Sequence, residues 1–372
     1  MDIKIESPES KEALLEFVRF FDQVYEYRSA RWPAPVDLHI PVLTGENPFG
    51  RDRTMRPLLA RRGTSVMARA VAVIDERYQR HWRERLGHIT MFEAMPDAHE
   101  ATRLLMDSAC EWLRERGAET ARAGFGVLDF PFVIDDYESL PPELVRQNPH
   151  YYHRLLKDAG FESEKGWVDY KIRVRPELIE QWKQALESSK RRRYEIVPLK
   201  DVADVRRVPD FAATWRDTFK SHWGFAPLTD DEVSLLLQSF KPAGAYETSV
   251  IAYYRGTPVG MLFAVPEVTA TAVVRPGRVL KDSEKLNILA IGVRESARGQ
   301  GVNLAMAAYA YLELVRRGAQ HLSYTLVLDD NWPSRRTAEK LGAAVCANYI
   351  VYRRNFGNRR GNRRSNSLGP SP

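Results

Sequence analysis

Residues 286–320, LNILAIGVRESARGQGVNLAMAAYAYLELVRRGAQ, join an apolar run rich in Leu and Ile to a long amphipathic one through a turn of Arg, Gly and Gln. The first run reads as a buried strand. The second carries apolar residues at helical spacing, with Arg316 and Arg317 ahead of a Gly318 stop. Strand, tight turn and helix in that order point to an α/β or α+β chain. Gly299 and Gly301 permit the turn and keep side chains off it. The amides of residues 299–303 are then orphan donors of the helix's first turn, and with the helix dipole they attract an anion such as phosphate. Arg298 adds a cation. A Gly-rich turn before a helix is also a plain connection in many chains, so the neighbouring elements must decide between the two.

In the C-terminal half, ETSVIAYYRGTPVGMLFAVPE reads as a hairpin around YRGTP, and KLNILAIGV as a third strand. The helix of residues 301–320 follows, then a strand, HLSYTLVLDD. A short helix, NWPSRRTAEKLGA, comes next, with Asn331 as N-cap, Pro333 in its first turn and Gly342 past its end. VCANYIVYRRNF closes as a strand. The N-terminal half repeats much of this order. SVMARAVAVID, GHITMFEA, TARAGFGVLD and GWVDYKIRV read as strands, and helices stop at Gly117 and Gly160. EWLRERGAE matches LELVRRGAQ and RLLKDAGFE matches RTAEKLGAA, which predicts two copies of one fold with an insertion around residues 127–147 in the first. The expected divisions are residues 1–178, a linker or helix at 179–194, residues 195–356, and a tail at 357–372.

A chain of 372 residues, 44% hydrophobic, is long enough for two cores. Its net charge of +6 is produced by the end of the chain: six Arg lie from Arg353 onward, leaving 49 Lys and Arg against 49 Asp and Glu before them. The basic tail is expected to be disordered and solvated, or to serve as an arm toward an acidic partner; nucleic-acid binding would rest on it alone. The first residues lack an apolar targeting segment and no window suggests a membrane span, so a cytoplasmic location is expected. Cys110 and Cys346 form no zinc or disulfide pattern, and His150 and His153 are expected to cap and solvate a helix start rather than to bind a metal.

The RGQGVN loop, the LDDNWPSRRTAEKLGA segment and the order of elements together resemble the GCN5-related N-acetyltransferase (GNAT) superfamily, over roughly residues 195–356. Arg298 and Gly301 match its pyrophosphate loop, Asn303 departs from it, and Asn331 and EKLGA echo its next motif. The N-terminal half resembles a degenerate copy, with EAMPDAHE in place of the loop. The resemblance implies two tandem GNAT-like domains, each a mixed, mostly antiparallel sheet flanked by helices. It also implies acetyl-CoA, a longer acyl-CoA or a carrier protein's phosphopantetheine thioester as co-substrate. Ile291, Gly292 and Val293 would pair with pantetheine or supply an oxyanion amide. Arg298, Gly299, Gln300, Gly301, Val302 and Asn303 would hold pyrophosphate, and Asn331 would contact pantetheine. The implied reaction is direct attack of an amine on the thioester. The family's Tyr general acid would fall at or beside Ala338, so Tyr324 is a candidate acid, Asp329 and Asp330 are candidate bases or caps of the following helix, and His222 is a further candidate base. His222, Trp223 and Phe225 read either as a core plug or as an aromatic wall for the acceptor or a long acyl chain. Alternatives are natural-product lipidation, joining a fatty or polyketide chain from an acyl carrier protein to a peptide amine, and an acyl-CoA-binding module without catalysis.

Overall fold

The computed structural model describes residues 2–143, 145–266, 271–280, 285–340 and 342–357; most of the basic tail lies outside them. The N-terminal half runs β1 (Ile3–Glu6), α1 (Lys11–Val24), β2 (Ala30–Arg31), α2 (Val36–Leu43), α3 (Pro48–Arg51), β3 (Thr54–Arg62), β4 (Ser65–Ile74), α4 (Glu76–Trp82), β5 (Leu86–Ala94), α5 (His99–Glu115), β6 (Thr120–Ala123), β7 (Phe132–Val133), α6 (Tyr152–Asp158) and β8 (Glu162–Arg173). Helix α7 (Pro176–Arg191) leads on to β9 (Tyr194–Pro198), α8 (Asp204–Phe219), α9 (Asp230–Phe240), α10 (Ala245–Thr248), β10 (Val250–Tyr254), β11 (Thr257–Pro266), β12 (Val273–Val274), β13 (Lys285–Val293), α11 (Val302–Arg316), β14 (His321–Leu328), α12 (Trp332–Lys340) and β15 (Ala344–Asn355).

Thirteen strands make one sheet in the order β1-β3-β4-β5-β6-β15-β8-β14-β13-β11-β10-β9, with β7 added on β15. Each half has an antiparallel meander ending in one parallel pair, β5 with β6 and β13 with β14. The last strand of each half then crosses over. Strand β8 pairs with β14, and β15 pairs with β6 and β8. The division near residues 178–195 therefore separates chain segments but not the sheet.

Alternation along β11 sends Leu262 and Ala264 to the face covered by α7 and α11, and Met261 and Phe263 to the face covered by α8 and α9. Both faces are packed, as the continuous apolar strands require. Trp182 of α7 is buried and stacks on Tyr311 with ring centroids 5.2 Å apart, so this helix belongs to the core. The strand expected over 120–129 stops at Ala123. Gly124 turns the chain at φ +83°, where a Cβ would stand 2.6 Å from the Phe132 ring. Among the described residues, no helix is long and apolar enough to cross a membrane.

Candidate active site

Strands β13 and β14 pair in parallel only from Lys285 with His321 to Ile288 with Tyr324. Beyond that point β13 keeps β11 on one side but has no β14 partner on the other. Residues Ala290 to Val293 thus present a free strand edge, a source of the oxyanion amide expected near Val293. Gly292 has a packing reason as well: a Cβ there would meet Thr218 Oγ1 at 2.4 Å.

The loop after β13 makes one short helical turn, Glu295–Ala297, and enters α11 through Gly301 at φ +80°. No side chain caps α11, and among the described residues the amides of residues 299–304 donate to no protein oxygen. Arg298 is exposed beside them and donates through Nε to the Val293 carbonyl at 3.2 Å. Arg192, at the end of α7, donates to the Gln300 carbonyl at 2.9 Å and brings a second cation to the loop. In the sequence, Arg192 is marked by no local pattern beyond the KRRR run at 190–193. A glycine-lined bend, unpartnered amides and two cations fit a pyrophosphate. Val302 is buried and only its backbone can take part, whereas Asn303 stands exposed at the cleft.

A cleft of about 690 Å3 runs from this loop along the α7 and α11 face, reaching Arg298, Gly299, Asn303, Ile291, Tyr324 and Asn331. A second cavity, of about 340 Å3, lies on the α8 and α9 face and extends between the halves to Phe49, His88, Phe125 and Trp167. The two share Ile291, Tyr324, Asn331, Ser334, His222 and Trp223, among others, so they meet where β13 and β14 part.

Tyr324 is hydrogen-bonded to Ser334, and burial raises its phenol above the usual value against the lowering effect of that bond. Ala338 lines the same cleft on the next turn of α12, where it has no proton to offer. His222 faces both cavities, its Nδ1 3.1 Å from the Trp223 carbonyl, and burial lowers its pKa. Asn331 caps α12, its Oδ1 accepting from the Ser334 amide at 3.3 Å. Asp329 lines neither cavity: its carboxylate lies against Gly166, and Asp330 is the acid that reaches the cleft, paired with Lys165. His153 is no solvated cap. Its ring bridges Tyr352 Oη and the Val133 carbonyl, each at 2.8 Å. Among the described residues no group of three or more potential metal ligands occurs.

The HWGF segment is both wall and anchor. Gly224 adopts φ +77° with a Cβ position 2.4 Å from the Phe125 ring, so only glycine fits that bend. The N-terminal half holds the segment in place. Trp82 Nε1 donates to the Phe225 carbonyl at 2.7 Å, and Arg122 stacks over Trp223 at 4.3 Å. Glu232, fully buried at the start of α9, pairs with Arg53 at 2.5 Å and Arg77 at 2.6 Å across the two halves. Arg53 also holds Asp75 at 2.7 Å.

Two copies of one α/β unit thus share the sheet, and the glycine-bent loop with its unpartnered amides stands in the second. Residues 209–343 match the family model described as Acetyltransferase (GNAT) family. The whole chain is similar to a tandem GNAT protein from the clavulanic acid biosynthesis pathway, at TM-score 0.58 and 10% identity over 96% of this chain and 99% of that one. It is also similar to a GCN5-related N-acetyltransferase from Sphaerobacter thermophilus, at TM-score 0.53 and 14% identity over 95% of each chain. A third structure, the glucosamine N-acetyltransferase region of a fungal multi-domain β-N-acetylglucosaminidase, aligns at TM-score 0.59 and 16% identity; this chain covers 38% of that protein's length. Among curated proteins, Protein YghO of Escherichia coli (strain K12) is 18% identical over 364 residues, covering 92% of this chain and 93% of its own. Residues 209–343 thus match the GNAT family's model, and the chain as a whole shares the fold of a tandem GNAT protein. The matched model describes a family of acetyltransferases, which supports transferase activity for the C-terminal half.

Proposed function

We propose that this protein is an N-acyltransferase that takes an acyl group from a CoA thioester and joins it to a primary amine. The observation that carries this reading is the junction of two cavities at the free edge of β13, with a phosphate-type loop at the outer end of one of them. When bound, the thioester supplies an activated acyl carbon and a thiolate leaving group. The loop amides of residues 299–304, with Arg298 and Arg192, hold its phosphates. The β13 edge orients pantetheine and polarises the carbonyl oxygen through an amide near Val293. His222, kept neutral by burial, accepts a proton from the attacking amine as the carbon–nitrogen bond forms. Tyr324, kept protonated, returns a proton to sulfur as the carbon–sulfur bond breaks. Asn331 fixes the start of α12 and thereby Ser334, the partner of Tyr324. Asp329 is assigned no proton transfer.

The second cation at the loop favours CoA over a carrier protein's phosphopantetheine, which brings a single phosphodiester. Calorimetric titration of CoA and acetyl-CoA into the parent protein and into Gly301→Glu tests the assignment. The parent should bind both, and the variant should lose at least about tenfold in affinity, from a carboxylate set among amides and from a side chain forced to positive φ. Equal affinity in both proteins rules out the phosphate-loop reading, and binding without turnover of any amine would leave a module that only holds acyl-CoA.

A further inference from the structure

We infer that the cavity between the halves holds the acyl chain of the donor, and that this chain is long, aliphatic and uncharged. This rests on the thioester reading above. The cavity opens at Ile291 and Tyr324, where the thioester carbonyl would lie, and continues away from the donor cleft on the opposite face of the sheet. A space of about 340 Å3 is far larger than an acetyl group needs. Its walls are Phe49, Phe125, Trp215, Phe225, Leu236 and Phe263, drawn from both halves.

Most polar groups in the lining have protein partners, the exception being Trp167 Nε1, which is buried without one. Among the described residues, Arg53 and Asp75 are the ones there with formal charge, and they pair with each other at 2.7 Å while Arg53 also binds Glu232. Tyr78 Oη accepts from Arg122 at 2.6 Å and donates to Glu84 at 3.1 Å. The His88 ring is 2.8 Å from the Phe125 carbonyl, and burial keeps it neutral. Among the described residues, no charged group in the lining is left unpaired to receive an ammonium or a carboxylate, and burying either without a counter-charge is costly. Methylene groups, by contrast, gain by leaving water. An acyl chain has its one polar end at the carbonyl and nothing beyond, which matches a cavity whose catalytic groups stand only at its mouth.

Affinities of CoA, acetyl-, hexanoyl-, decanoyl- and dodecanoyl-CoA for the full-length protein test this by calorimetry. Affinity should rise by about fourfold per methylene until the cavity fills, then level off. Leu236→Trp and Leu228→Trp, which place an indole in the cavity, should move the plateau to shorter chains and leave CoA affinity unchanged. Unchanged CoA affinity also shows that each variant folds. Equal binding of acetyl- and dodecanoyl-CoA overturns the inference, as does a length dependence that neither variant alters. A flat acyl series beside a length dependence in alkylamine acceptors would assign the cavity to the acceptor and equally overturn it. Loss of CoA binding by the parent protein, in contrast, removes the thioester reading itself.

Discussion

Replacing Tyr324 with Phe removes one hydroxyl from the point where the two cavities meet and leaves the ring in its packing. Burial holds that phenol above its usual value near 10, the Ser334 hydrogen bond opposes the shift, and Tyr170 adds to it. The group therefore carries its proton throughout the neutral range. A positioned acid contributes about 10²–10⁴-fold, or roughly 3–5 kcal/mol of barrier at about 1.4 kcal/mol per decade. Losing the bond to Ser334 costs about 1 kcal/mol of stability. Thiol release at saturating donor should thus fall at least about a hundredfold, with donor affinity unchanged and a small drop in Tm. In the parent enzyme the acid limb of the rate profile should belong to His222. Because burial lowers its pKa, that limb should lie below the usual histidine value near 6.5. The Phe variant should keep the limb at the same place. A variant within about threefold of the parent rate would refute Tyr324 as the acid and leave sulfur to be protonated by water.

Two further outcomes follow from the contact between the halves. Glu232→Ala leaves Arg53 with Asp75 and Arg77 with only the Pro227 carbonyl, so the cost should fall near the low end for a broken buried pair, about 3 kcal/mol. Urea unfolding should show this loss in one transition; two separated transitions would mean that the halves fold independently despite the shared sheet. Burial, with Arg122 adding to it, lowers His88 to about 4. The unfolded chain then binds the extra proton first, so the stability from neutral His88 is complete above pH 6.5 and is lost as pH falls toward 4, about 2 kcal/mol of it by pH 5. Comparing Tm at neutral pH and near pH 5 for the parent and His88→Gln checks this. An equal acid-induced drop in both proteins would remove His88 as its source.

Short-range physics made much of the C-terminal half legible. The period of β13 and α11, the glycines of the loop and the Asn331 cap each act within a few residues, so the strand KLNILAIGV and the helix over Trp332–Lys340 emerge where the sequence predicts them. The partners of β8 and β15 were not legible. Their apolar pattern is the same whether they close their own half or the other, and only the full sheet shows that they cross. Arg192 reaches the loop because Trp182 seats α7 on Tyr311, a long-range contact without a local signature. The second cavity joins Phe49, Phe125, Trp167 and Phe263, residues far apart in the chain that became neighbours when the halves docked. The sequence by itself thus determined the repeated elements, the glycine-rich turn ahead of α11 and an alanine at position 338 of α12. Tertiary structure decided which titratable groups stand at the junction and how large a cavity lies behind them, because burial, charge pairing and cavity volume depend on residues brought together from both halves.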